Sequence, residues 1–162
     1  IDGGSSSEKS VGTYRMLPFL KYRRAGSIDA WIVTHPDADH ISGLLELLEA
    51  DYPIRQLILA KAQADQEACQ ELITLAQKKD IDIAYVNTGS ELHLQDMSLR
   101  CLYPDAQETA ADINGLCQVW ELQSHDFSML FTGAIGEEQE TLLSERNSLQ
   151  PVTALKLSLI HI

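Results

Sequence analysis

The sequence has few cysteines, and their spacing argues against two common kinds of small domain. Its three cysteines, Cys69, Cys101 and Cys117, are odd in number and contain no Cys-x-x-Cys pair. Such spacing indicates neither a zinc knuckle nor a disulfide framework. Cys69 lies in a helical pattern and the other two in strand-like patterns. We therefore expect all three to be buried as small hydrophobic residues.

Several functional patterns are also missing. No apolar run approaches the roughly 18 residues that indicate a membrane span. A nucleotide-binding glycine loop is absent, so the sequence predicts no nucleotide cofactor. A Gly-x-Ser-x-Gly elbow is absent as well. The chain has 162 residues, of which 44% are hydrophobic. It is long enough for one core and too short for two domains of ordinary size.

Basic residues are scarce relative to acidic ones. The 12 lysines and arginines face 24 aspartates and glutamates, which gives a formal net charge of −12 at pH 7. Domains that bind nucleic acid usually carry a basic face that releases counterions from phosphates, so this charge argues against simple electrostatic DNA binding. Bound divalent ions would offset part of it. The main basic cluster, Lys21–Arg24, is either a set of cations favoured at a helix C-terminus or a phosphate clamp.

What the sequence does contain is a run of strong metal ligands, His-Pro-Asp-Ala-Asp-His at residues 35–40. An apolar, β-branched segment at residues 28–33 precedes it and predicts a buried strand. Apolar residues with helical spacing follow it at residues 41–48. The run is therefore predicted to form a loop between a strand and a helix.

Such a loop can turn His35 and Asp37 towards one metal ion, and Asp39 and His40 towards a second. Imidazole combined with carboxylate suits Zn²⁺, Mn²⁺ or Fe, and the oxygen-rich set differs from a thiolate-bound structural zinc site. The alternative is an acidic turn in which Asp39 only caps the following helix. A cap needs one such residue, whereas the run contains four.

Four segments together resemble a known family. His-x-Asp-x-Asp-His is similar to the metallo-β-lactamase signature in its variant from the C-terminal domain of the ComEC/Rec2 family of DNA internalization competence proteins. The Asp-Gly-Gly turn at residues 2–4 resembles the family's early turn. Residues 11–20 resemble the segment that leads to a Leu-Pro-Tyr-Leu helix, and residues 127–135 its late strand. The resemblance covers most of the chain.

This resemblance implies a site with two divalent metal ions, Zn²⁺ or Mn²⁺. His35 and Asp37 would hold the first ion and Asp39 and His40 the second, with Asp39 also orienting the nucleophile. Such a site lowers the pKa of a shared water and polarises a phosphoryl oxygen. Asp2 is expected to orient the ligands through hydrogen bonds instead of binding metal.

The family also implies a substrate and a location. The substrate would be DNA, with the domain degrading the strand that is not imported. The domain would lie on the outer side of a bacterial cell membrane, attached to the membrane channel region of the same protein. Two alternatives stay open. One is a soluble hydrolase of another phosphodiester or ester, and the other is a catalytically silent structural or docking domain.

Two departures from the family pattern bear on activity. Ala134 stands where the family has a metal-bridging aspartate, and a methyl group cannot bind metal. Beyond Lys156, the expected His-His-Gly-Ser loop is replaced by residues 157–162. We interpret that segment as a non-native tail, so that residues 1–156 form a partial hydrolase domain. His161 is accordingly not predicted to be the missing ligand.

Of three more polar residues, two are assigned ordinary structural roles and the role of Asn114 stays open. Asn114 lies where the family has an asparagine-rich turn, so it either lines the site or forms a simple Asn-Gly turn. His93 alternates with leucines in a predicted strand and is expected to face solvent. His125 is assigned to a hairpin turn.

The order of predicted elements indicates the α/β class. It fits a metallo-β-lactamase-like αββα sandwich, incomplete at both ends. Helices are predicted from near Met16 to Arg24, from the ligand run to Ala50, and at residues 65–79 and 136–145. Strands are predicted at residues 28–34, 55–61, 83–86, 92–94, 98–103, 117–122 and 127–132.

Overall fold

The structure, a computed structural model, describes residues 1–146 and 149–157. The chain forms two compact units. The first unit comprises Ile1–Leu59 and Asp65–Tyr85, and the second comprises Ala60–Ala64 and Val86–Ile162. Each unit contains one β-sheet with its own buried core.

The first unit is built on a three-stranded sheet in the order β1-β2-β3. Its strands are β1 (Trp31–Ile32), β2 (Gln56–Ala60) and β3 (Asp82–Val86). Strands β1 and β2 run parallel, with Trp31 opposite Leu57. Its helices are a π-helix at Gly12–Met16, α1 (Leu17–Tyr22), α2 (Ala38–Glu49) and α3 (Glu67–Lys78).

Helices α2 and α3 are held by the apolar residues that their sequences repeat every three or four positions. Helix α2 buries Leu44, Leu47 and Leu48, and α3 buries Leu72 and Ile73. These side chains pack with the buried residues of β1 and β2 into one core cluster. The core therefore fixes the first residues of α2 next to the end of β1.

The second unit contains a five-stranded sheet in the order β4-β5-β6-β7-β8. All of its pairings are antiparallel except the parallel one between β7 and β8. The strands are β4 (Glu91–Leu94), β5 (Met97–Tyr103), β6 (Val119–Ser124), β7 (Phe127–Phe131) and β8 (Ala154–Lys156). Helix α4 (Glu137–Arg146) and two short 3₁₀ segments, Lys61–Gln63 and Asn114–Leu116, complete the described part.

The α/β class predicted from the sequence is confirmed, and most predicted elements exist with shifted ends. The strand predicted at residues 28–34 is shorter: only β1 is a strand, and Ile28 makes an isolated bridge with Ile54. Between Ile28 and β1, Asp29 is exposed and its carboxylate pairs with Arg55 at 3.1 Å. This stretch is outside the strand pairing. The first helical segment begins earlier, at Gly12.

The described chain also contains features that the pattern did not predict. Strand β8 was missed because three residues are too short for an alternation to be recognised.

Of the predicted tail, residues 158–162, and therefore His161, lie outside the described residues. Among the helices that the structure describes, none has the length and apolar character needed to cross a membrane.

The three cysteines are buried, as predicted. Cys69 lies in α3 and Cys101 in β5, whereas Cys117 precedes β6 instead of lying in it. Burial raises the pKa of the Cys69 thiol to about 11. The pKa of Cys101 rises to about 12, mainly through burial. Both side chains are therefore neutral thiols at physiological pH and act as packing groups.

Candidate metal centre

The histidine at the end of β1 is fixed by the core beneath it. Val33 donates its N–H to the carbonyl of Ile58 at 3.1 Å, which continues the parallel pairing past the last strand residue. Thr34 and His35 follow and are both buried. The His35 ring is therefore held by the sheet, whereas the chain beyond it turns towards α2.

Helix α2 begins within the ligand run, which corrects the prediction that the whole run is a loop. Asp37 is the N-cap residue, and Asp39 and His40 lie in the first turn. The Asp37 carboxylate makes no capping hydrogen bond. Capping by Asp39, the alternative drawn from the sequence, is wrong because that residue lies inside the helix. A helix N-terminus nevertheless favours carboxylates there.

The four predicted ligands form two pairs, each with one imidazole and one carboxylate. His35 Nε2 lies 3.5 Å from Asp37 Oδ2, and His40 Nε2 lies 3.7 Å from Asp39 Oδ2. The two imidazole rings are adjacent, with centroids 3.9 Å apart and planes tilted by 55°. The histidine side chains are mostly buried, whereas those of Asp37 and Asp39 are 42% and 52% exposed.

These separations fit two donors of one metal ion. With bonds of about 2.1 Å, adjacent ligands of a tetrahedral ion are about 3.4 Å apart. The nitrogen-to-oxygen distances of 3.5 and 3.7 Å are close to that value. The pairing is the one expected from the sequence, with His35 beside Asp37 and His40 beside Asp39.

Asp2 connects the N-terminal segment to Thr34 and His40. Its backbone N–H donates to the Ile32 carbonyl at 2.9 Å, in a left-handed conformation with φ of 52°. Its Oδ1 accepts the Thr34 N–H at 2.9 Å, and its Oδ2 accepts the Thr34 hydroxyl at 2.8 Å. The same Oδ2 lies 2.9 Å from His40 Nδ1. Asp2 therefore joins the end of β1 to the first turn of α2.

Hydrogen bonding assigns the tautomer of His40. Burial alone would raise the pKa of Asp2, but hydrogen bonds from His40 and Thr34 outweigh burial, and the pKa lies below its usual value. Asp2 is thus ionised at neutral pH and can only accept. His40 Nδ1 therefore carries the proton, and the lone pair of Nε2 is on the Asp39 side. Carboxylates that orient ligating histidines act in this way.

The same reasoning extends to His35 through Thr34. Because the Thr34 hydroxyl donates to Asp2, its oxygen acts as the acceptor towards His35 Nδ1, 3.2 Å away. His35 Nδ1 is then the protonated nitrogen, and Nε2 has its lone pair on the Asp37 side. Burial, followed by the charge of His40, lowers the pKa of His35. His35 thus presents Nε2 in the neutral form that binds metal, and the hydrogen bond from His40 Nδ1 to Asp2 leaves Nε2 as the His40 nitrogen on the ligand side.

Thr34 is the functional residue that sequence reasoning missed. A threonine directly before a histidine at a strand end gives no local sign of its role. That role becomes visible only when Asp2, far away in sequence, is brought to its hydroxyl.

The residues present fit only part of the metal site that the sequence predicts. Each His–Asp pair offers two donors, whereas catalytic zinc sites have three protein ligands. Within residues 1–146 and 149–157, no group of three or more His, Cys, Asp and Glu side chains is placed to hold an ion. The pairs therefore fit as two halves that need further donors.

The expected bridging position, Ala134, belongs to the second unit. It follows β7 and Gly133, whose φ of 59° marks a left-handed turn. Ala134 is only 4% exposed, and its N–H donates to Cys117 Sγ at 3.1 Å. Its methyl group belongs to an apolar cluster with residues such as Val119 and Leu143. The surroundings of Ala134 within this unit are therefore those of a core residue.

Asn114, predicted either to line the site or to form a turn, also belongs to the second unit. It starts a 3₁₀ segment, and Gly115 donates its N–H to Asp112 Oδ1 at 2.9 Å. In the described part of the chain, Asn114 Oδ1 is buried without a hydrogen-bond partner. A contribution of Asn114 to the site remains a prediction. His93 is exposed, as expected, with 71% of its side chain accessible.

Comparison with known proteins gives matches over most of the chain. A model of the family described as "Beta-lactamase superfamily domain" matches residues 6–156. Among curated proteins, ComE operon protein 3 of Bacillus subtilis (strain 168) is 28% identical over 131 residues. That alignment covers 81% of this chain and 17% of the relative, so the chain spans about a sixth of that protein.

Solved structures with related folds are found as well. The metallo-β-lactamase fold protein YhfI from Bacillus subtilis has a TM-score of 0.52 at 20% identity, over 81% of this chain and 48% of its own. A mutant of CmlA, a diiron β-hydroxylase from Streptomyces venezuelae, has a TM-score of 0.51 at 17% identity, over 80% and 26%. Similarity at this level concerns the fold, and the predicted metallo-β-lactamase fold is confirmed.

Proposed function

Because the chain belongs to the metallo-β-lactamase superfamily, whose members are generally hydrolases, we propose that it is a metal-dependent, nuclease-type hydrolase domain. The observation that carries the proposal is the geometry of two His–Asp pairs, with donor atoms 3.5 and 3.7 Å apart. The Asp2 carboxylate adds support, because it contacts His40 directly and His35 through the Thr34 hydroxyl, and structural acidic turns have no need of such an arrangement.

The proposed parent is a ComEC/Rec2-type competence protein, and the proposed substrate is DNA. The support for this is the match to ComE operon protein 3, a protein named for a competence operon. The family places such a domain on the outer side of the bacterial membrane, beside the channel region of the same protein. DNA, the channel and this location are all parts of the proposal.

Each residue of the site has a proposed role. His35 and Asp37 would hold one divalent ion, and Asp39 and His40 the other, with Zn²⁺ or Mn²⁺ as the candidates. When bound, the ions would supply an activated water and polarise a phosphoryl oxygen. Asp39, whose carboxylate is exposed, would accept a proton from the nucleophile and orient it. Asp2 and Thr34 would hold the Nδ1 atoms and so direct both Nε2 atoms towards the ions.

The proposal predicts hydrolysis that depends on added metal. The chain, loaded with Mn²⁺ or Zn²⁺, is expected to cleave linear DNA and bis(p-nitrophenyl) phosphate, and a chelator should abolish both activities. His40→Ala should lower the rate by more than about 100-fold, beyond the usual cost of losing a residue that only orients a ligand. His93→Ala is the matched control, because that histidine is exposed and distant in sequence.

The outcomes separate the proposed substrates. Hydrolysis of the small ester without DNA cleavage would favour a hydrolase of another phosphodiester. Equal losses for His40→Ala and His93→Ala would contradict the assigned ligands.

A catalytically silent domain is the second candidate, and Ala134 favours it. Its buried methyl group lies at the position of the family's bridging carboxylate. If the wild-type chain is silent, Ala134→Asp should restore hydrolysis and tighten Mn²⁺ binding. Without metal the same variant should be less stable by about 1–3 kcal/mol, because a polar group enters an apolar cluster.

Stability and activity therefore change in opposite directions in this variant. Ala134→Asn is the control, since it has a similar size and burial cost but no carboxylate. Thermal melts with and without Mn²⁺, together with ester hydrolysis, measure both effects. Activity in the asparagine variant as well would show that a bridging carboxylate at position 134 is not required.

A further inference from the structure

The most unusual surface of the first unit is a group of exposed aromatic and basic side chains on the π-helix, α1 and the residue after it. We call it the basic–aromatic surface, and it consists of Tyr14, Arg15, Phe19, Lys21, Tyr22 and Arg23. The aromatic side chains are large and accessible, with Tyr14 73%, Phe19 60% and Tyr22 83% exposed. Aromatic residues exposed to this extent rarely contribute to a core.

The opposite side of the same helical segment explains why these rings face outward. Met16, Leu17 and Leu20 pack against the core of the first unit. They anchor the segment, and helical geometry then directs the aromatic residues away from the core. The exposure of the three rings follows from the fold of this segment.

Charge is concentrated on this segment. Residues 9–24 contain five of the chain's 12 basic residues and none of its 24 acidic ones. None of these five cations takes part in an ion pair within the described residues, whereas Arg55, Lys79, Arg100 and Arg146 all do. This segment is therefore locally positive, although the net charge of the chain is −12.

The basic–aromatic surface is tied to the helix that carries two of the proposed ligands. Thr13 donates its N–H to Glu46 Oε2 of α2 at 2.8 Å. A Cβ added to Gly12 would lie 2.6 Å from the carbonyl oxygen of Gly43, so the π-helix and α2 are in close contact. A ligand held on the surface is thus positioned relative to the first turn of α2.

We propose that the basic–aromatic surface binds single-stranded DNA. The rings of Tyr14, Phe19 and Tyr22 would stack on bases, and the cations would contact the intervening phosphates. Surfaces that bind single strands without sequence preference combine these two elements. The substrate class rests on the proposed function, whereas the chemistry of the surface is independent of it.

Neither helix-dipole stabilisation nor membrane binding accounts for the whole surface. Cations at a helix C-terminus interact favourably with the helix dipole, which explains Lys21 and Arg23 but neither Arg15 nor the aromatic rings. Membrane binding by such a helix needs a continuous apolar face. Here the helix's aliphatic residues face the core, two of the three outward rings carry a hydroxyl, and exposed cations belong to the same surface.

The test measures binding of a fluorescent single-stranded oligonucleotide by anisotropy, with a chelator present so that no cleavage occurs. Replacing Tyr14, Phe19 and Tyr22 together by Ala should weaken binding by roughly tenfold or more, given the usual contribution of stacking. The salt dependence should not change. Replacing Arg15, Lys21 and Arg23 by Gln should make the slope of log affinity against log salt shallower by about 2, at about 0.7 per lost contact.

The control variant changes Arg55, Lys78 and Arg100 to Gln, which lowers the net charge equally at other exposed positions. It should retain both affinity and slope to a much larger extent. Equal losses in the control, or no oligonucleotide binding at all, would overturn the proposal. The proposal would also be overturned if the wild-type protein bound phosphatidylglycerol vesicles and not the oligonucleotide, and if the surface substitutions abolished that vesicle binding.

Metal-dependent hydrolysis of bis(p-nitrophenyl) phosphate distinguishes the surface from the catalytic site. This small ester offers no strand for the surface to hold, so both surface variants should hydrolyse it like the wild type. Oligonucleotide binding that depends on the surface, without ester hydrolysis, would support this inference while contradicting the proposed function. Ester hydrolysis without oligonucleotide binding would support metal-dependent hydrolysis and contradict this inference.

Discussion

Gly43→Ala is expected to destabilise the first unit by about 2 kcal/mol or more, near the upper part of the usual range for overpacking. A Cβ at this position would clash with the Gly3 carbonyl oxygen and would lie 2.6 Å from Met16 Sδ. The Gly3 oxygen cannot easily retreat, because the N–H of the same residue donates to the His40 carbonyl at 2.9 Å. Urea denaturation measures the change in the free energy of unfolding.

The expected loss is opposed by a known gain. Alanine is favoured over glycine inside a helix by about 1 kcal/mol, so a neutral position would become more stable. Gly26→Ala is the control for the added methyl group alone, since Gly26 lies outside the helices and no atom lies within 4 Å of the Cβ it would add. If Gly43→Ala were as stable as Gly26→Ala, the close contact between the N-terminal segment and α2 would not exist in solution.

Asp2→Asn is expected to lower the affinity for Zn²⁺ or Mn²⁺ by about 10–100-fold, although Asp2 is not a ligand. The amide oxygen can still accept a hydrogen bond from the Thr34 N–H, but the NH₂ group cannot accept one from the His40 Nδ1–H. His40 then favours the tautomer with the proton on Nε2, where the metal would bind. Competition with a chromophoric chelator measures the affinity.

The control for this prediction is Asp29→Asn. Asp29 is also close to β1, but its exposed carboxylate pairs with Arg55 and has no contact with the histidines. Thermal melts without metal show whether Asp2→Asn stays folded. An unchanged affinity in a folded Asp2→Asn protein would mean that His40 does not bind through Nε2.

Local spacing was enough to place His35 beside Asp37 and Asp39 beside His40, because the members of each pair are at most two positions apart; their role as metal ligands stays a prediction. It placed the start of α2 too late. The apolar repeat begins only at Ile41, whereas the helix already includes Ala38, Asp39 and His40. The first turn of a helix needs no apolar residue, so the pattern contains no signal for it.

Contacts between distant segments were less accessible to sequence reasoning. Asp2 was assigned an orienting role by resemblance, and only the folded chain shows that its carboxylate meets both Thr34 and His40. The close approach of Gly3 to Gly43 has no local pattern either, because two glycines far apart in sequence do not indicate that they touch. The basic cluster was predicted, whereas the outward direction of Tyr14 depends on which side of the helix is anchored.

The difference in exposure between the histidines and the aspartates has a kinetic consequence. The carboxylates of Asp37 and Asp39 reach water, while the imidazole of His35 is enclosed by the core. A cation bound as proposed would therefore meet exposed, hydrated oxygen donors before it meets nitrogen. Capture should be fast and sensitive to ionic strength, as for any exposed charge. Release requires separation from a rigid, sheltered ring, so the dwell time of the cation is set by the interior of the protein and its entry by the surface.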